Sequence, residues 1–118
     1  GLDPMRCTIR GGETTVALGD TPGRGGRCQE LALAAAREVA GRTGVALLAA
    51  GTDGRDGPTD AAGAVVDGGS WARIAAAGRD PALDLRRHDA FPALAAAGAL
   101  IARRPTGTNV ADIVITLG

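Results

Sequence analysis

Apolar positions along the 118-residue chain recur with two different periods, and these sort most of it into alternating strands and helices. Residues 7–10 and 14–18 carry β-branched side chains on either side of Gly11-Gly12, which predicts two short strands or one bulged strand. A helical pattern starts at about Arg27. Cys28, Leu31, Ala32, Ala35, Ala36 and Val39 fall at the spacing of one helix face, Arg37 and Glu38 lie off it, and Gly41 supplies a left-handed stop. Residues 45–50 (VALLAA) form an unbroken apolar run after a short glycine-containing turn, which predicts a parallel strand covered on both faces. Residues 64–67 read as another short strand, 70–77, 81–87 and 90–97 as Ala-rich helices, and 99–102 as a short apolar run. Residues 110–117 alternate, with Ile113, Ile115 and Leu117 on one face and Asp112, Val114 and Thr116 on the other. Such a strand is half buried, near a sheet edge or antiparallel. Together the elements predict an α/β fold, a three-layer domain with a mixed, mostly parallel sheet flanked by Ala-rich helices.

Composition narrows the chemistry. Gly1 to Pro4, ahead of Met5, read as residues left by an expression fusion, and 5–118 as a single domain. With 13 basic and 13 acidic side chains, the formal charge is zero and no long-range field attracts a polyanion. Trp71 and Phe91 are the only aromatic rings, too few for a base-stacking platform, so both features argue against nucleic acid. No apolar stretch approaches the roughly 20 residues that cross a bilayer, and the expected location is cytoplasmic, with Cys7 and Cys28 as reduced thiols. Every basic residue is an arginine, which excludes a G-x-x-x-x-G-K-[ST] phosphate loop and Schiff-base chemistry. A single histidine, His88, excludes a paired-histidine zinc site, and no G-x-S-x-G surrounds the single serine, Ser70.

Three loops carry the residues that remain. Gly23-Arg24-Gly25-Gly26-Arg27-Cys28 precedes the first long helix, where glycines admit close backbone approach, helix N–H groups face outward and two arginines add forked donors; this is either an anion cradle or an ordinary flexible turn. The third glycine of a dinucleotide fingerprint is missing, since Cys28 stands there. Residues 51–60 (GTDGRDGPTD) follow the apolar strand and place Asp53 at its carboxyl end, where ligands gather in open α/β sheets. Asp56 and Asp60 read as structural, and the spacing does not match a calcium loop. Residues 105–112 (PTGTNVAD) put hydroxyls and an amide around Gly107, either to bind a polar ligand or to make a turn. Cys28 lies on the apolar helix face, which favours packing over nucleophilic chemistry, and Glu13 sits at a bulge with an undecided role.

Taken in order, GGETTV (11–16), GRGGRCQELALAAA (23–36), GTDGRDGPTDAAGAVVDG (51–68) and PTGTNVAD (105–112) resemble the MOFRL domain, the C-terminal part of the bacterial and archaeal glycerate 2-kinase family, many members of which carry the name hydroxypyruvate reductase. The resemblance covers nearly the whole chain from Arg6. It implies ATP- and Mg²⁺-dependent transfer of phosphate to D-glycerate, giving 2-phosphoglycerate, in a cleft between this domain and a larger Rossmann-like N-terminal domain. It also implies that Arg27 faces that cleft, binding the glycerate carboxylate or stabilising the transferring phosphate; the neighbouring family asparagine is Cys28 here. The candidate catalytic residues are thus Arg27 and Asp53, and the candidate substrate-binding residues are Glu13, Thr14, Gly25, Gly26, Thr106, Thr108 and Asn109, with metal ligands unassigned. Two other readings stay open, an NAD(P)H-dependent hydroxypyruvate reductase and a stand-alone, non-catalytic binding module.

Overall fold

The structure, a computed structural model, describes residues 5–12 and 23–118. The expected strand at 14–18 lies outside them, as do Glu13 and Thr14. In chain order the elements are β1 (Cys7–Gly12), α1 (Arg27–Glu38), β2 (Ala46–Gly51), β3 (Ala61–Asp67), α2 (Ser70–Ala76), α3 (Pro81–Arg86), α4 (Ala90–Ala96), β4 (Leu100–Ala102) and β5 (Asp112–Leu117).

The strands form one sheet in the order β1-β5-β2-β3-β4, and every neighbouring pair is antiparallel. The expected mostly parallel sheet is therefore wrong. The strand–helix–strand order of β1, α1 and β2 imitates a parallel crossover unit, and those two strands do run the same way. β5 lies between them, however, antiparallel to both, so they never pair. β2 and β3 need only the loop of residues 52–60 to turn back on each other, because an antiparallel neighbour requires no helical crossover.

The described residues make two layers, not three. α1 packs on β2 and β3, the other helices pack around α1 and one another, and α4 reaches β4. All the sheet residues of the main core, among them Leu47, Ala64, Val66 and Leu100, lie on that one face. Opposite them stand Ala32, Leu33, Ala36, Ile74 and Leu94, all essentially free of solvent. The many alanines let helices and sheet approach closely, so a core forms with few large side chains.

The buried face of α1 is Cys28, Gln29, Ala32, Leu33 and Ala36, turned by part of a step from the expected stripe, so that Leu31, Ala35 and Val39 are only partly covered. Polar contacts explain the rotation: Asp56 and Thr59 draw Gln29 inward, and Leu33 follows one turn later. Gly41 adopts φ +83° just beyond the helix, as expected of a stop. α3 begins with Pro81 after Asp80, whose carboxylate accepts the Leu83 N–H at 3.1 Å.

Register assigns every strand residue a side. On the helix side one row runs Thr8, Thr116, Leu47, Val66, the two threonine hydroxyls being hydrogen-bonded to each other. On the other side the matching row runs Ile9, Ile115, Leu48, Val65. The sheet closes at its first and last residues, where Arg6 and Gly118 exchange both backbone hydrogen bonds (2.7 and 2.9 Å).

Candidate functional site

Antiparallel pairing brings the candidate segments to one end of the sheet. Gly12 of β1 and Gly51 of β2 both pair with Asp112 of β5, so the end of β1, the 52–60 loop and the 103–111 loop are neighbours. The start of α1 joins them through Arg27, whose Nε and Nη2 donate to the two carboxylate oxygens of Asp112 at 2.6 and 3.3 Å. Asp112 is almost fully buried, whereas the Arg27 side chain is 41% exposed. A buried carboxylate thus aims a guanidinium whose flank reaches solvent. The two residues are 85 positions apart, and only the register makes the pair visible.

The helix N-terminus itself is filled from within the chain. Asp56 accepts the backbone N–H groups of Cys28 (3.0 Å) and Gln29 (2.8 Å) and the Gln29 side-chain amide (2.9 Å). It therefore satisfies donors that a helix start leaves unpaired. Thr59 completes the cluster, accepting from Gln29 Nε2 at 2.9 Å and donating to the Asp56 carbonyl at 2.9 Å. The glycines exist for this closure: a Cβ on Gly26 would overlap Asp56, and one on Gly57 would press on the Gly25 carbonyl oxygen at 2.5 Å. Gly57 also needs its φ of +62°. Burial pushes the Cys28 thiol far above its ordinary pKa, and the neighbouring Asp56 and Asp112 carboxylates add to the shift. Cys28 is thereby held as an inert thiol, and packing is its role.

The 103–111 loop is fixed differently, mostly by one residue that the sequence pattern did not single out. Thr52 donates its N–H and its hydroxyl to the Ala111 carbonyl (3.0 and 2.6 Å), accepts the Val110 N–H on Oγ1 (2.9 Å), and accepts the Thr106 hydroxyl on its carbonyl (2.5 Å). Asn109 Oδ1 takes the N–H of Ala111 at 3.1 Å, which steadies Ala111 at φ +68°, a left-handed backbone costly for a residue with a Cβ. Farther along, Arg104 N–H donates to the Gly54 carbonyl at 3.0 Å, and a Cβ on Gly54 would overlap the Arg104 carbonyl oxygen. Thr106, Gly107, Thr108, Asn109 and Val110 all remain exposed.

Asp53 sits in the 52–60 loop, where Oδ1 accepts the Arg55 N–H at 3.0 Å. The sheet being antiparallel, the rule that placed ligands at the carboxyl ends of parallel strands lends it no support; it is at the site end because β2 stops at Gly51. Loop 23–26 is tied to the α3–α4 corner: Asp89 accepts the Arg24 N–H at 2.8 Å, and the Arg24 guanidinium lies 4.5 Å from the Phe91 ring centroid. His88 contacts Glu30 on the same side (2.5 Å) and Ser70 bonds to Asp67, so neither belongs to a triad. Among the described residues no cluster of three or more carboxylate, histidine or cysteine side chains could hold a metal ion, and no helix is long and apolar enough to cross a membrane.

A two-layer α/β domain that collects its glycine, hydroxyl and arginine loops at one end of an antiparallel sheet is the class that this geometry defines. The chain belongs to the MOFRL family, whose model matches residues 6–112. It is similar to D-glycerate 2-kinase of Thermotoga maritima, 52% identical over 98% of this chain and 28% of that protein. A protein of Agrobacterium vitis named putative hydroxypyruvate reductase is 47% identical over 89% of this chain and 24% of its own length. In structure the chain is similar to glycerate kinase of Thermotoga maritima, with a TM-score of 0.89 and 51% identity over 94% of this chain and 27% of the other. The chain therefore spans about a quarter of the length of these relatives.

Proposed function

We propose that this chain is the C-terminal domain of an ATP-dependent, cytoplasmic glycerate 2-kinase, converting D-glycerate to 2-phosphoglycerate, and that it forms one wall of an active site completed by a larger Rossmann-like N-terminal domain. The observation that carries the reading is Arg27, a guanidinium aimed by the buried Asp112 at the end where all the candidate loops meet. Phosphoryl transfer depends on positioning and charge neutralisation, and an arginine held by a buried carboxylate supplies both without reorganising. In this reading Arg27 binds the glycerate carboxylate or the transferring phosphate. Thr106, Thr108 and Asn109, exposed on a loop with a fixed backbone, hydrogen-bond substrate hydroxyls, and Glu13 and Thr14, outside the described residues, belong to the same proposed substrate-binding set. Gly26 acts indirectly, by letting the 52–60 loop close on α1, and Gly25 lies beside it, against the start of α4. The donor set fits Mg²⁺ only as an ion carried by the nucleotide phosphates and touched by a carboxylate of the 52–60 loop, Asp53 or the exposed Asp60, because Asp56 and Asp112 are committed to the helix start and to Arg27. Bound there, the ion would neutralise phosphate charge.

Residues 5–118 would then fold alone and lack activity alone. In the full-length enzyme, Arg27→Ala should lose most ATP-dependent phosphorylation of D-glycerate, by about a hundredfold or more for a lost charge-stabilising donor; near-normal turnover would rule out the role. The name of the Agrobacterium relative favours a second reading, and an assay with hydroxypyruvate separates the two. Oxidation of NADH by the full-length protein, without ATP-dependent turnover of glycerate, would establish a reductase instead.

A further inference from the structure

Among the described residues the sheet has one face without helices, and that face is apolar except at one corner, where Asp67 pairs with Ala46. Ile9, Ile115, Leu48 and Val65 form its central row across the first four strands, flanked by Leu117 with Ala46 and by Ile113 with Ala50. Ile9 is 66% exposed, Val65 44% and Leu117 37%. The helix side of β1 and β5, by contrast, carries Thr8, Arg10 and Thr116 around a single apolar side chain, Val114. Over these two strands the pattern is inverted: polar residues lie on the side that holds the described helices and apolar ones on the bare side. A strand whose outer face met only water would alternate the other way.

We infer that the helix-free face is the surface on which this domain docks against the larger domain of its own polypeptide. The inference rests on the reading that the chain is one domain of a longer kinase. Five strands about 4.8 Å apart, mostly about six residues long, give a face of roughly 400–500 Å², the size of the largest apolar patch on a typical monomer, which is often a functional one. Two copies stacked on each other would bury roughly 1,000 Å² in total, below the ~1,200–2,000 Å² of stable complexes. A covalently linked domain, acting at an effective concentration of about millimolar, requires no such area. Relatives in which the matching part is about a quarter of the protein supply a partner of that kind. The face also runs on, through Ile113 and Gly11, to the strand ends at Asp112 and Gly12 where the candidate site lies, so a domain seated on it would reach the mouth of that site.

The test compares thiol access at Val65→Cys, in a Cys7→Ser background, between this 118-residue chain and a chimera. In the chimera the chain replaces the matching 116 residues of Thermotoga maritima D-glycerate 2-kinase. Alkylation by iodoacetamide, read by peptide mass spectrometry, should be at least about tenfold slower in the chimera, because thiol reactivity follows access. Ala95→Cys, exposed on the helix layer, should react equally in both. Equal rates at Val65→Cys overturn the inference. So does a protected Val65→Cys in the 118-residue chain eluting as a dimer, which would make a second copy the occupant. A cysteine at the aligned position of the unmodified Thermotoga enzyme repeats the comparison without a junction. Glycerate phosphorylation by the chimera separates the two claims: an active chimera with an accessible face sinks only the docking surface, and a protected face without kinase activity sinks only the kinase reading.

Discussion

The start of α1 and the loop before β5 have the same vocabulary of glycine, small polar and charged residues, yet they are opposite in physical state. At the helix start every inward donor is taken: Asp56 bonds to Cys28, to Gln29 and to the Gln29 side chain, all buried. In residues 106–110 the side chains stand in solvent, and the backbone is fixed from beneath by Thr52. The difference teaches that a glycine-rich helix entrance is not by itself an anion site. Here its N–H groups already serve the chain's own carboxylate. The groups available to a ligand belong to the loop with an anchored frame and solvent-exposed side chains, Thr108 and the Asn109 amide nitrogen among them.

The largest expected effect comes from breaking the closed region. Asp56→Ala strands two backbone donors and an amide in the interior, and should destabilise the domain by about 3–5 kcal/mol, enough to shift a urea midpoint drastically or abolish folding. A loss below about 1 kcal/mol would show the closed region to be as open as the loop. Thr52→Val keeps the shape but removes the hydroxyl between Ala111 and Val110, and about 1–2 kcal/mol should be lost in the same measurement, with faster hydrogen exchange in residues 106–111. Thr108→Ala should leave stability within about 0.5 kcal/mol while raising the KM for glycerate in the full-length enzyme. Unchanged kinetics would remove Thr108 from the site.

The smallest effect separates an exposed carboxylate from the buried one. Asp67 accepts the Gly69 N–H and pairs with Arg73, which holds its carboxyl below the ordinary value of 3.8. Its contribution to stability is complete above that ordinary value and is lost as pH falls through the lowered one. Because the side chain is half exposed, solvent screens most of the gain. Asp67→Asn should only slightly flatten the acid limb of a stability-versus-pH curve, and a change as large as that of Asp56→Ala would contradict the contrast.

Most element positions were legible because apolar periodicity is local. The strand at 110–117 and the three Ala-rich helices fall within a few residues of their expected places. Strand direction was not legible, since it depends on β5 inserting between β1 and β2, a fact about residues some 60 to 110 positions apart. The apolar run in β2 predicts a parallel strand covered on both faces, whereas β2 is antiparallel to both of its neighbours and described helices cover only one of its faces. In the site, the glycines before α1 predict either an anion cradle or a flexible turn, whereas Gly26 and Gly57 serve the close approach of two loops of the chain itself. Asp112 as partner of Arg27, and Thr52 as the frame of the last loop, needed the register. Thr52 in particular works largely through backbone groups, which no residue pattern displays.

The pairing of β1 with β5, closed by Arg6 and Gly118, also sets a schedule for synthesis. The edge strand is made first and its partner last, with 100 residues between Gly12 and Asp112. At about 5–20 residues per second, β1 waits roughly 5–20 s for a neighbour on the ribosome. During that interval the helices and the β2–β3 hairpin can assemble from local contacts. Until β5 arrives, the row that ends at Ile9 is left unfinished and β1 has no strand to pair with.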